Sequence, residues 1–141
     1  MTSKNSSPTI LVVDDEKDTL DLLTLLLTGE NYQVLTASDV KQATSILMTQ
    51  YKNKVFLPDL ILLDIRMPEI NGYDFCLWIK ENTTFSKIPV VFISAHTFQK
   101  DIDRGLKCGA QDFVKKPWPS NEELINRIRK VLSIQTVSSY I

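Results

Sequence analysis

Apolar residues fall into short continuous runs separated by stretches in which they recur three or four apart. Ile10-Leu11-Val12-Val13, Leu60-Ile61-Leu62-Leu63 and Val90-Val91-Phe92-Ile93 are unbroken, the pattern of strands buried on both faces. Tyr32 to Thr36 predicts another strand, and Asp112 to Lys115 a short fifth one with a weaker pattern. Helical spacing fills the intervals. Glu16 to Thr28 carries Leu20, Leu23 and Leu27 on one stripe, with Gly29 as the stop. Ser38 is placed to cap a helix running to about Gln50, with Val40, Ala43 and Leu47 inward. Gly72 to Glu81 presents Phe75, Cys76 and Ile79, and Thr97 to Lys107 ends at Gly109, a left-handed exit. Ser120 and Glu123 form a capping box ahead of Leu124, Ile125, Ile128, Val131 and Leu132.

Five β/α units in alternation define an α/β protein, a single doubly wound five-stranded parallel sheet with helices on both faces. Prolines and glycines fall between the elements, which supports the boundaries. The connection Tyr51 to Leu57 leaves Val55, Phe56 and Leu57 in need of cover. The pattern organises the chain as a flexible lead over 1–8, one domain over 9–133, and a tail or linker stub over 134–141.

Composition narrows the function classes. A chain of 141 residues suits one domain and needs no disulfide or structural metal to fold. A net charge of -1 gives no electrostatic reason to expect nucleic acid or an anionic membrane as partner. Cys76 and Cys108 lack any metal-ligand spacing and read as packed thiols of a reducing compartment. No apolar run approaches the ~18 residues of a membrane span, and Met1 to Pro8 has no signal-peptide core, so a cytoplasmic location is expected.

In open α/β sheets, sites form beyond the carboxyl ends of the strands. Asp14 and Asp15 follow the first strand, Asp64 the third, Ser94 the fourth and Lys116 the fifth. Any one such aspartate is ordinarily a helix cap or a turn residue. Three together repel one another unless a cation sits among them. Magnesium suits such a site, because it accepts a few carboxylates together with water and phosphate oxygens. Lys116 adds a point charge able to hold a phosphate oxygen or pair with Asp64, and Ser94 adds a hydroxyl.

These residues resemble the receiver domains of two-component response regulators. The resemblance rests on Val12-Val13-Asp14-Asp15-Glu16, Leu62-Leu63-Asp64-Ile65-Arg66-Met67-Pro68-Glu69-Ile70-Asn71-Gly72, Ile93-Ser94-Ala95 and Asp112-Phe113-Val114-Lys115-Lys116-Pro117, and spans about Thr9 to Leu132. It implies a flavodoxin-like fold with strand order 2-1-3-4-5. It implies that Asp64 is the phosphoacceptor and that Asp15, Asp64 and the backbone carbonyl of Arg66 bind Mg2+ directly, with Asp14 acting mainly through a metal-bound water. Lys116 and Ser94 would contact the phosphoryl group, and Ala95 would leave it an approach path. Phe113 would move inward with Ser94, changing the face made by the fourth helix, fifth strand and fifth helix. The Lys116-Pro117 bond is cis in many members. The implied partners are a sensor histidine kinase or phosphotransfer protein and a downstream target or output domain, with a homodimer open and no nucleic-acid or membrane role for this domain.

The resemblance implies a phosphoacceptor with slow autodephosphorylation, not an enzyme. An Asp-nucleophile phosphatase would want a second aspartate two residues after the nucleophile, where Arg66 stands. A flavin-binding protein would want a Ser/Thr/Gly-rich loop after the first strand, where Asp14-Asp15-Glu16 repels phosphate. An interaction module of the same fold that is never phosphorylated remains an alternative, opposed by the complete acidic set. His96 reads as a loop residue, Lys115 as a surface neighbour of Lys116, and Trp78 and Trp118 as partly buried rings or partner anchors.

Overall fold

The computed structural model describes residues 7–67, 69–95 and 97–139, with side chains described as far as residue 134. The continuous apolar runs become β1 (Thr9–Val13), β3 (Leu60–Leu63) and β4 (Val90–Ser94), and every residue in them is buried. The mixed runs become β2 (Gln33–Ala37) and β5 (Asp112–Lys115), whose polar residues suit the sheet edges. All pairings are parallel and the order is β2-β1-β3-β4-β5, as the family resemblance implied. The chain reverses its direction of travel across the sheet after β2, so the switch point lies between β1 and β3, where Val13 pairs with Leu63.

Alternation along the strands divides the core into two layers. Leu11, Val13, Ile61 and Leu63 meet α2 (Val40–Lys52), α3 (Gly72–Glu81) and α4 (Gln99–Lys107) through Ala43, Leu47, Phe75, Cys76, Ile79 and Ile102. Ile10, Val12, Leu60 and Leu62 meet α1 (Lys17–Gly29) and α5 (Asn121–Ser139) through Leu23, Leu27, Leu124 and Ile128. Each fully buried Val, Leu, Ile or Phe side chain contributes about 1.5–3 kcal/mol, and the central strands supply one at every position except Thr9 and Ser94.

Several element boundaries differ from the sequence reading, four of them with a clear local cause. The cap of α2 is Asp39, whose Oδ1 accepts from the Gln42 amide at 2.7 Å, while the Ser38 amide donates to the Gln42 side chain at 2.6 Å. A carboxylate one residue closer to the first turn takes the role expected of the hydroxyl. α1 includes Gly29, and the left-handed residue beyond it is Asn31, with φ 67°. Asparagine tolerates that region, so glycine was not required. α4 starts at Gln99 because the Phe98 carbonyl accepts from both Asp101 and Ile102, leaving Thr97 outside. α5 opens as expected, with Ser120 Oγ accepting from the Glu123 amide at 3.0 Å, and then runs to Ser139, past the fading of its apolar pattern. Adding residues to a formed helix is far easier than starting one. No helix among the described residues is long and apolar enough to cross a membrane. His96 lies outside the described residues.

Candidate functional site

The sheet itself positions the rim. Asp64 continues the ladder one residue past β3, its amide donating to the Val13 carbonyl at 2.9 Å. Asp14 does the same past β1, to Ala37 at 3.1 Å, and Lys116 past β5, to Ser94 at 2.8 Å. These backbone bonds place two carboxylates side by side at the switch point and bring the lysine back toward them from the far edge of the sheet. The Asn71-Gly72 pair fixes the loop after β3. Asn71 Oδ1 caps α3 through the Asp74 amide at 3.0 Å, and the Gly72 amide donates to the Ile65 carbonyl at 2.8 Å. A Cβ on Gly72 would lie 2.4 Å from the Asp64 carbonyl oxygen, so only glycine lets α3 begin against the backbone of that aspartate.

Carboxylate oxygens of Asp14, Asp15 and Asp64 lie within 4.8 Å of one another. Asp14 and Asp64 are buried and Asp15 is exposed. Burial first, then the charge on Asp14, pushes the Asp64 carboxyl up to about 6, against the opposing pull of Lys116 and of the Ile65 amide at 2.8 Å. Lys116 Nζ sits 2.8 Å from Asp14 Oδ2, 2.6 Å from Glu16 Oε1 and 4.0 Å from Asp64 Oδ2. Burial works against its charge, but the bonds to Asp14 and Glu16 outweigh it and hold the ammonium above its usual range. Glu16 is lowered in turn by its bond to Lys116. One ammonium among four carboxylates leaves the cluster short of positive charge, and an all-oxygen donor set of this kind fits a hard divalent cation.

The structure thus brings Asp14, Asp15, Asp64 and Lys116 together. Ser94 is fully buried at the end of β4, Ala95 is exposed just beyond it, and Arg66 is exposed beside Asp15 along a groove of about 590 Å³. Phe113 already lies inward at 8% exposure, its ring 5.9 Å from that of Phe92. The Lys116-Pro117 bond is cis. Lys115 is exposed, and Trp118 is half-buried with its indole N–H donating to Asn121 at 2.7 Å. Both cysteines are buried and free, and burial pushes the Cys76 thiol up to about 12, so it is unreactive.

Three contributors escaped the sequence reading. Glu16 shares Lys116 with Asp14, and its only signal was a third acid directly after the pair. Gly105 lets α4 lie on the aromatic layer, since a Cβ there would come 2.9 Å from the Phe92 ring and 3.2 Å from Phe113. A glycine inside a polar helix was the available clue. Tyr73, next to Gly72, donates its hydroxyl to the Asp101 carbonyl at 3.1 Å and carries the Arg104 guanidinium 4.1 Å over its ring. Nothing in the sequence distinguished it from ordinary core.

A doubly wound five-stranded parallel sheet with buried carboxylates and a lysine at its switch point places the chain among flavodoxin-like α/β domains. Residues 10–129 match the response regulator receiver domain family, and the chain belongs to that family. Response regulator SaeR of Staphylococcus aureus (strain USA300) is 37% identical over 124 residues, covering 88% of this chain and 50% of that protein. The signal receiver domain of a signal transduction histidine kinase from Syntrophus aciditrophicus superposes with a TM-score of 0.78 at 31% identity, covering 90% of this chain and 91% of that one. The BeF3-activated DrrB receiver domain gives 0.72 at 25% identity, covering 90% and 98%. This chain spans about half the length of the curated relatives it matches. Receiver domains of response regulators are signalling switches rather than turnover enzymes.

Proposed function

We propose that the chain is switched by transfer of a phosphoryl group to Asp64 from a phosphohistidine on a sensor kinase or phosphotransfer protein in the cytoplasm. The observation that carries this reading is the packing of Asp14, Asp15 and Asp64 within 4.8 Å beside Lys116. Asp14, Asp15, Asp64 and the carbonyl of Arg66 would hold magnesium, which when bound supplies positive charge against the carboxylates and the incoming phosphoryl oxygens. An Asp64 carboxylate oxygen attacks phosphorus in line, the bond to the donor nitrogen breaks, and an acyl phosphate forms on Asp64. Lys116, 4.0 Å from Asp64 Oδ2, needs only a small movement from Glu16 to reach a phosphoryl oxygen. Ser94 donates its hydroxyl to the same group. Ala95, small and exposed, leaves the approach open, and water entering by that path with Arg66 alongside hydrolyses the acyl phosphate and resets the switch.

Output follows from a shift in populations. Phosphorylation favours arrangements in which Ser94 is drawn toward the phosphoryl group and Phe113 keeps its inward position under α4, and the face of α4, β5 and α5 presents the result to a target or output domain. Moving such an equilibrium from 1:99 to 99:1 takes about 5.5 kcal/mol of differential interaction. Incubation with magnesium and acetyl phosphate, followed by intact mass measurement, is expected to add one phosphoryl group to the parent and none to Asp64→Asn. Equal labelling of that variant would remove Asp64 from the acceptor role.

A further inference from the structure

The edge from which the strands start, opposite the acidic cluster, carries an apolar surface that the switch does not use. Met48, Tyr51 and Val55 recur three and four residues apart along α2 and its exit, and each is about half exposed. Phe56 follows, also half exposed. Across from them on α3 stands Trp78, at 36% exposure, and the buried Phe85 joins the two helices, with ring centroids 6.4 Å from Tyr51 and 5.6 Å from Trp78. Cover expected for the segment after α2 is thus only partly present, because Leu57 packs on the core while Val55 and Phe56 do not sink into it.

Charge selects the occupant. Lys52 and Lys54 stand at the exit of α2, residues 40–58 hold no acid, and the loop bearing Phe85 adds Lys87. The nearby acids are Glu81 and Asp59, and Asp59 is engaged by the Thr9 amide at 2.7 Å. The whole chain is net negative, so this edge departs from the rest of the surface. Lys54 is also held at φ 58°, where the Val55 amide reaches back to the Gln50 carbonyl at 2.9 Å. Glycine or asparagine suits that position, and a lysine there carries a backbone cost of about 1 kcal/mol. It is a charge set against local preference. A second copy of the chain would bring lysines against lysines. Nucleic acid is disfavoured too, because the chain as a whole is net negative at -1.

We infer that the exposed aromatic and lysine surface of α2 and α3 is a docking site for an acidic protein segment that carries aromatic or aliphatic anchors, and that it works independently of Asp64. The contacts would be apolar anchors over Tyr51, Val55 and Trp78, rimmed by carboxylates at Lys52 and Lys54.

The test is selection of random 16-residue peptides displayed on phage against the full chain, followed by titration of the enriched peptides and mapping by backbone amide NMR shifts. Expected are peptides with net negative charge and at least one aromatic or large aliphatic residue, with shifts confined to the second half of α2, its exit loop and the end of α3. Lys52→Glu/Lys54→Glu is expected to weaken binding at least tenfold, and Tyr51→Ser/Trp78→Ser likewise. The lysine variant alters only exposed side chains and keeps the test valid if the aromatic one unfolds. Magnesium and beryllofluoride are expected to leave the affinity unchanged, so failure here is separate from failure of the acceptor reading. Enrichment of neutral or basic peptides, shifts elsewhere, no enrichment at all, or full affinity in the lysine variant each overturn the inference. So would binding of a dT16 oligonucleotide, of phosphatidylserine vesicles or of a second copy in sedimentation that the lysine variant abolishes in place of peptide binding.

Discussion

Substituting Gly72 by alanine sets local preference against tertiary contact, and the two predict opposite signs. Gly72 is the first residue of α3, where alanine is the better helix former by roughly 0.5–1 kcal/mol. Its added Cβ, however, would meet three backbone atoms: the Asp64 carbonyl oxygen at 2.4 Å, Ile65 Cα at 2.9 Å and the Asp64 carbonyl carbon at 3.1 Å. Backbone cannot rotate away as a side chain can. Relief requires α3 or the loop after β3 to shift by about 1 Å, overpacking that costs about 1–3 kcal/mol. The bond from the Gly72 amide to Ile65, 2.8 Å, would stretch or break and add about 1 kcal/mol. Less the gain in propensity, the net loss is about 1–3 kcal/mol, or roughly 3–10 °C in a domain of this size. Urea unfolding followed by far-ultraviolet circular dichroism measures it. Because the displaced atoms belong to Asp64 and its neighbour, beryllofluoride affinity in magnesium is expected to fall in the fraction that remains folded. A variant at least as stable as the parent, with unchanged beryllofluoride affinity, would refute the steric argument.

Asp64→Asn is expected to stabilise the protein in divalent-free buffer. The folded carboxyl lies near 6 against an ordinary 3.8, so the parent keeps this contribution below about pH 4 and loses it as pH rises through 6. The shift corresponds to at most about 3 kcal/mol, and solvent at the rim reduces it to about 1–2 kcal/mol at pH 7.5. Denaturant titrations are expected to show that gap closing toward pH 4 and on adding magnesium; a gap indifferent to pH would contradict the assignment. Lys116→Ala leaves the fully buried Asp14 side chain without its cation and is expected to cost about 2–4 kcal/mol without divalent ions. Magnesium should restore part of this loss and still bind, as calorimetry can show, while the response to acetyl phosphate is lost. Asp39→Ala is expected to cost about 1 kcal/mol and Ser38→Ala much less, and the reverse order in thermal melts would return the cap to the serine.

Strands were the most legible elements, because residues such as Ile10 to Val13 are apolar at every position and admit no other burial. The acidic site was legible for a related reason: each of its residues lies within two positions of a strand's carboxyl end, and parallel strands bring those ends to one edge. Helix ends were less so, since Ser38 and Asp39 are both competent caps and only the position of the Gln42 amide decides between them. The partners of Lys116 were not legible either. Sequence order places its amine on the rim but does not say that Asp14 and Glu16 hold it more closely than Asp64. Tyr73 and Gly105 matter through contacts with residues distant in sequence, and no local pattern encodes those.

Of the nine residues in α4, Gly105 alone is buried and brings no side chain to the core, while Ile102 packs on it only partly buried. The helix rests on the aromatic layer by its backbone at Gly105 and by the one side chain of Ile102, and is tied at its edge through Tyr73 and Arg104. Lifting or sliding it therefore uncovers little oily area, so displacement is cheap compared with moving α2 or α3, which would expose several large side chains. On the proposed switching of Asp64, the few new hydrogen bonds of one phosphoryl group would be enough to govern such a light part. The outward positions of α4, having no duty to the core, remain free to be written for whichever partner reads them.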